Sequence, residues 1–166
     1  MDGRTKRHIE KTHSVIRWLL IGLGLIMITI AGWAVAYKIM DAKLFVSAGD
    51  GVYRVSVART ESQQQKGLAG VKSLAADEGM LFAFSKNDYW PIWMKGMRIP
   101  IDIIWINEKK RVVHIERNVQ PDAAPYVTYL PDEPAKYVLE LPAGTAARDR
   151  ISKNTLVLFE MNEESK

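Results

Sequence analysis

The sequence predicts a mainly β (α+β) fold: a compact antiparallel β-sandwich or partly open barrel with two short helices, preceded by one transmembrane helix. Three observations carry the prediction. Residues 18–37 are 20 residues without a charge, the chain after them falls into six or so short apolar or alternating runs separated by turn signals, and no cysteine is present to staple a small fold. Stability must then come from a packed core, and the residues beyond the uncharged run are enough to build one.

As a helix, the run WLLIGLGLIMITIAGWAVAY rises about 30 Å, the thickness of a hydrocarbon core. Trp18 opens it and Trp33 and Tyr37 close it, where amphipathic rings prefer the headgroup level. Arg4, Lys6, Arg7, Lys11 and Arg17 precede it, against Lys38 and Lys43 just after it, so the positive-inside rule holds the N-terminus in the cytoplasm. The expectation is a single-pass protein of the cell membrane with its domain outside the cytoplasm. Ala34-Val35-Ala36 has the form of a signal-peptidase site, with cleavage after Ala36 as the alternative; the length of the apolar run and the bulky Trp33 favour a retained signal anchor. The organisation is then a basic cytoplasmic tail at 1–17, the membrane helix at 18–37, a stalk and first strand at 38–51, a β-rich extracytoplasmic domain at 52–161, and a tail at 162–166.

The formal charge is +4, but residues 1–17 hold five basic groups against two acidic ones. The 18 basic and 17 acidic groups that remain leave a domain near +1, without the electrostatic footprint of a nucleic-acid binder.

Within the domain, Leu44, Phe45 and Val46 start the first strand, residues 47–51 signal a turn, and residues 52–58 alternate as a half-buried strand should. Thr60, with Gln63 three residues on, reads as the cap of a short helix over Glu61–Lys66, which Gly67 ends in the left-handed conformation. Residues 79–84 and 99–106 are apolar strands, and the polar turn 107–110 joins the second of them to 111–116 as a hairpin. Pro121, Pro125, Pro131 and Pro134 make 118–135 a long surface excursion. Residues 137–141 read as another strand, Thr145 caps a helix through about Arg150, and 155–161 closes the sheet.

Taken together, Thr60 with Lys66-Gly67-Leu68, Leu74, Gly79-Met80-Leu81-Phe82-Ala83-Phe84, Trp93-Met94-Lys95, Ile99-Pro100-Ile101-Asp102-Ile103-Ile104, Asn118-Val119-Gln120-Pro121, and Val138-Leu139-Glu140-Leu141 through Gly144-Thr145-Ala146-Ala147-Arg148 resemble the bacterial and archaeal domain of unknown function family 192. The resemblance covers about residues 52–161. It implies a compact, mainly β domain, often exported or anchored, with no established activity. The chain departs from the family pattern at Gln64, where an arginine is usual, at Ala69, where methionine follows Gly-Leu, and at Gly96-Met97, where Asn-Thr usually follows Trp-Met-Lys.

Asp102 interrupts an apolar strand. By period 2 it shares a face with Pro100, Ile104 and Ile106, while Ile101, Ile103 and Trp105 occupy the other. A carboxylate buried there needs a partner, and Lys95, Arg98 and Arg148 or backbone N–H groups are the candidates. Residues 89–98 gather Tyr89, Trp90, Trp93, two methionines, Lys95 and Arg98, a composition typical of binding hot spots; the plainer reading puts Trp93 and Met94 in the core. Glu140, in an apolar strand, could face Asp102 as the second acid of a glycoside hydrolase. His114 is the domain's only histidine, no nucleotide-binding glycine motif occurs, and neither a metal site nor a cofactor is expected.

The function expected first is an extracytoplasmic binding or accessory module for an envelope glycan or protein partner, with Trp90, Trp93, Lys95, Arg98, Asp102 and Arg148 as ligand-binding candidates. The alternatives are a hydrolase of carbohydrate or peptide acting through Asp102 and Glu140, and a structural envelope protein without a ligand.

Overall fold

The computed structural model describes residues 43–121 and 127–161, with 23 and 27 isolated before them. No described helix is long and apolar enough to cross a membrane. The span expected at 18–37, the cytoplasmic tail, the Ala36 cleavage point and the tail at 162–166 lie outside the described stretches.

Lys43–Lys166 forms one unit, mainly β with two short helices. In chain order it contains β1 (Leu44–Ala48), β2 (Gly51–Ala58), α1 (Glu61–Lys66), β3 (Glu78–Asp88), β4 (Ile92–Trp93), β5 (Ile101–Ile106), β6 (Val112–Val119), β7 (Thr128–Tyr129), β8 (Ala135–Pro142), α2 (Thr145–Arg148) and β9 (Val157–Leu158). Seven strands form one sheet in the order β6-β5-β8-β3-β2-β1-β9, and β4 pairs with β7 in a separate ribbon. The two sheet edges meet through a bridge between Arg111 and Leu156. There Val112 N donates to the Thr155 carbonyl at 3.0 Å and Val157 N to the Lys110 carbonyl at 2.8 Å. The sheet therefore curls towards a barrel, and the two-sheet sandwich is not formed.

One pairing departs from the antiparallel expectation: β2 and β3 run parallel, with Val55 opposite Gly79 and Val57 opposite Leu81. A parallel neighbour needs a crossover longer than a hairpin, and residues 59–77, which include α1, supply it. Thr60 caps α1 as expected: its side chain accepts from Gln63 N while the Gln63 side chain accepts from Thr60 N. Gly67 ends the helix at φ 49° and ψ −137°. That is not the left-handed helical well, but it is a region only glycine enters at little cost. Thr145 is the first residue of α2 rather than its cap, and the helix stops at Arg148.

Alternation along the strands creates two apolar layers. Val46, Tyr53, Val55, Leu81, Ile104, Ile106, Leu139 and Leu141 fill the barrel interior. Phe82, Ile92, Met94, Ile101, Ile103, Trp105 and Val138 form a second cluster. By the same alternation these strand residues belong to the opposite face of the sheet, where β4 and its flanking chain cover them. The predicted excursion contributes β7 to this cover, and β7 pairs with β4 through Ile92 opposite Tyr129 and Trp93 opposite Thr128.

Candidate functional site

Asp102 and Glu140 lie on neighbouring strands but on opposite faces. In the β5–β8 register Asp102 stands opposite Leu141 and Ile103 opposite Glu140. Asp102 thus points with Ile104 and Leu141 to the interior, and Glu140 with Ile103 and Val138 to the outer layer. They do not face each other across a cleft.

Asp102 is fully buried. Its Oδ1 accepts from Asn118 N at 2.8 Å and Gly144 N at 3.2 Å, and its Oδ2 from Ala146 N at 2.7 Å. The carboxylate is engaged by three backbone amides rather than by Lys95, Arg98 or Arg148. Two of those amides belong to the start of α2, whose cap position is Gly144 and therefore has no side chain to accept them. Asn118 adopts φ 53°, which turns its N–H towards the same carboxylate. Arg148 instead pairs with Asp149 at 2.7 Å, and Asp149 accepts a 2.5 Å hydrogen bond from the Tyr53 hydroxyl, tying the end of α2 to β2. Burial and the Asp149 carboxylate push the Tyr53 hydroxyl up from its ordinary value. Arg98 is exposed.

Glu140 is buried, with 4% of its surface exposed, and its Oε2 has no hydrogen-bond partner among the described residues. Burial alone pushes its carboxyl up to about 8. Its strand sits close to β3 because residue 79 is a glycine: a Cβ there would lie 2.4 Å from the Glu140 carbonyl. Glu140 is opposite Met80 in that pairing.

Above Glu140 opens a pocket of about 260 Å³. Phe82 and Phe84 of β3, Trp90 and Trp93, Gln64 and Leu68, and Lys66 and Lys95 are among its lining residues. Phe84 and Trp90 stack with ring centres 4.1 Å apart and planes 7° from parallel. The Trp90 indole N–H donates to the Lys86 carbonyl at 3.1 Å, while the Trp90 carbonyl accepts from the Trp105 indole at 3.0 Å. Trp90 is thereby held at both ends and half-buried. Trp93 is 46% exposed, whereas its neighbour Met94 is fully buried in the outer layer. The plainer reading therefore fits Met94 and not Trp93. Lys66 and Lys95 are both exposed, and no ion pair reaches Glu140 among the described residues.

Of the sequence candidates, Trp90, Trp93, Lys95 and Glu140 meet at this pocket, and Arg98, Asp102 and Arg148 are not among its lining residues. Phe82, Phe84, Gln64, Leu68 and Met97 line it without having been singled out for a site. The signal for Gln64 and Met97 was the departure from the family pattern at those positions; Phe82 and Phe84 read only as a strand. No group of acidic or histidine side chains able to hold a metal occurs among the described residues.

The family model of DUF192, described as an uncharacterized ACR, matches residues 44–159. A structure from Sinorhizobium meliloti 1021, described provisionally as a transcription regulator, is 30% identical with a TM-score of 0.66, covering 71% of this chain and 94% of that one. A protein of unknown function from Novosphingobium aromaticivorans DSM 12444 is 32% identical with a TM-score of 0.64, covering 70% of this chain and 83% of that one. No curated protein matches the chain.

Proposed function

We propose, for a chain that belongs to the DUF192 family through residues 44–159, a binding role at the membrane: an extracytoplasmic module that holds part of an envelope glycan or protein in the pocket above Glu140. The observation that carries this reading is the pocket itself, open and walled by Phe82, Phe84, Trp90 and Trp93. Aromatic walls around a few polar groups are the composition of ligand sites, and an indole that is 46% exposed beside a buried Met94 is available to a partner. At about 260 Å³ the space suits a single ring or side chain of a larger molecule rather than a large cofactor. The uncharged run at 18–37 and the basic residues before it support a membrane anchor with the domain outside.

The hydrolase reading has little support, because Asp102 is engaged by three amides on the face opposite Glu140. Nor is the description of the Sinorhizobium structure carried over to DNA binding, given 18 basic and 17 acidic groups beyond residue 17.

The test is a titration of the detergent-solubilised full chain with muropeptides and with short peptides, read by tryptophan emission. At least one class should shift the emission saturably, and Trp93→Ala should remove the shift with little change in melting temperature. If neither class shifts the emission, the binding reading fails.

A further inference from the structure

Glu140 poses a problem that the aromatic walls alone do not solve. A buried carboxyl normally has its oxygens satisfied, yet Oε2 has no partner among the described residues and the residue is 96% buried. That oxygen belongs to a residue on the sheet face that forms the floor of the pocket, and Glu140 is among the residues that line that pocket.

Resting on the binding role above, we propose that the group seated in this pocket is an organic cation with N–H donors, a primary ammonium or a guanidinium, which donates to the Glu140 carboxylate and packs against the Phe84, Trp90 and Trp93 rings. Two independent features of the site ask for the same chemistry. Once the carboxyl ionises, the orphaned oxygen needs a donor, and a charged donor forms the stronger hydrogen bond. The ring faces carry negative quadrupole, which favours a cation over a neutral group of the same shape. A quaternary ammonium would satisfy the rings but leave Oε2 without a donor.

Among the described residues, the charged groups around the pocket do not supply this cation internally. Lys66 and Glu61 come from α1 and Lys95 from the chain after β4; all three are exposed. The pocket residues of β3, Phe82 and Phe84, carry no charge, and neither do Met80 and Ile103, the cross-strand neighbours of Glu140. With burial as the only influence on its carboxyl, Glu140 holds a proton near neutral pH, and an arriving cation displaces that proton to solvent. Binding should therefore release roughly one proton at pH 7, and affinity should rise with pH until about 8 and then level off. The cation can arrive as a free small amine or as a side chain on a polymer, and the two differ in how much of the mouth they contact.

The experiment is calorimetric titration of the full chain in detergent with Nα-acetyl-lysine amide, Nα-acetyl-norleucine amide and n-butylammonium. The lysine probe should bind at least about tenfold more tightly than its uncharged norleucine counterpart. Its binding enthalpy at pH 7 should vary with the ionisation enthalpy of the buffer. Glu140→Gln, which keeps shape and removes charge, should abolish that preference and the proton release. Tighter binding of butylammonium than of the lysine amide would identify a free amine as the source, and the reverse a peptide side chain; either supports the cation site. Equal affinity of the lysine and norleucine probes, with both still shifting tryptophan emission, would overturn the cation inference and leave the binding role standing. Failure of every probe to bind or to shift the emission would overturn both.

Discussion

Two buried carboxylates on adjacent strands have different roles because their backbones present them to different faces. Asp102 is met by the amides of Asn118, Gly144 and Ala146, and removing it would take the acceptor from three N–H groups at once, the buried one of Ala146 among them. Asp102→Ala should destabilise the domain by about 3 kcal/mol or more, measured from the urea midpoint, with ligand binding by the folded fraction unaltered. Glu140 behaves oppositely: its burial costs stability whenever it ionises. Because its folded-state carboxyl titrates at about 8, above the ordinary 4.5, the native state holds a proton between these values that the unfolded chain has lost. Stability contributed at this position falls as pH rises from 4.5 to 8 and is flat above. Subtracting the profile of Glu140→Gln from that of the wild type should isolate a loss of a few kcal/mol across this window in urea melts. Glu78 works at the other end: hydrogen bonds from Lys43, Ala75 N and Arg54 hold it down to about 2, so its contribution is present above 4.5 and fades only as pH falls towards 2. The burial of Asp102 was legible in the sequence from its place in an apolar strand, and backbone amides stood there among its candidate partners. Which partner it takes was not, because Asn118, Gly144 and Ala146 reach it only after the chain has closed.

At the scale of elements, strand alternation did most of the predictive work. The faces of β5 assigned by period 2 are the faces observed, with Ile104 and Ile106 in one apolar cluster and Ile101, Ile103 and Trp105 in the other. The capping box of α1 was likewise legible, since Thr60 and Gln63 satisfy each other within four residues of chain. The parallel pairing of β2 and β3 and the β4–β7 ribbon were not, because each depends on where a distant segment lands. The same distinction applies to the pocket. Trp90, Trp93 and Lys95 are neighbours in sequence and stood out by composition, whereas Phe82, Phe84 and Gln64 join them only through the fold. The local stability cost should follow burial rather than residue type. Trp105 is fully buried and Trp93 is 46% exposed. Trp105→Ala should therefore cost about 3–5 kcal/mol, against about 1 kcal/mol or less for Trp93→Ala, as read by chemical denaturation.

For the whole molecule, the curled sheet closes its own edges through Arg111 and Leu156 and presents a second apolar layer to the chain that crosses it. A sequence alternating apolar and polar residues fits a sandwich or a barrel equally well, so closure had to be seen rather than read. With the anchor proposed at 18–37, protease added to intact spheroplasts should degrade the domain while a short N-terminal fragment stays with the membrane. Release of a soluble form beginning at Tyr37 would instead establish cleavage after Ala36. Glu140, whose Oε2 has no hydrogen-bond partner among the described residues, is the group proposed to receive a cation in the pocket. The most direct measurement is the titration of the Glu140 side-chain carboxyl by carbon-13 NMR, with and without saturating Nα-acetyl-lysine amide. A midpoint near 8 is expected in the free protein, and a midpoint well below that with the probe bound. A midpoint in the ordinary carboxylate range that the probe does not move would contradict the proposal.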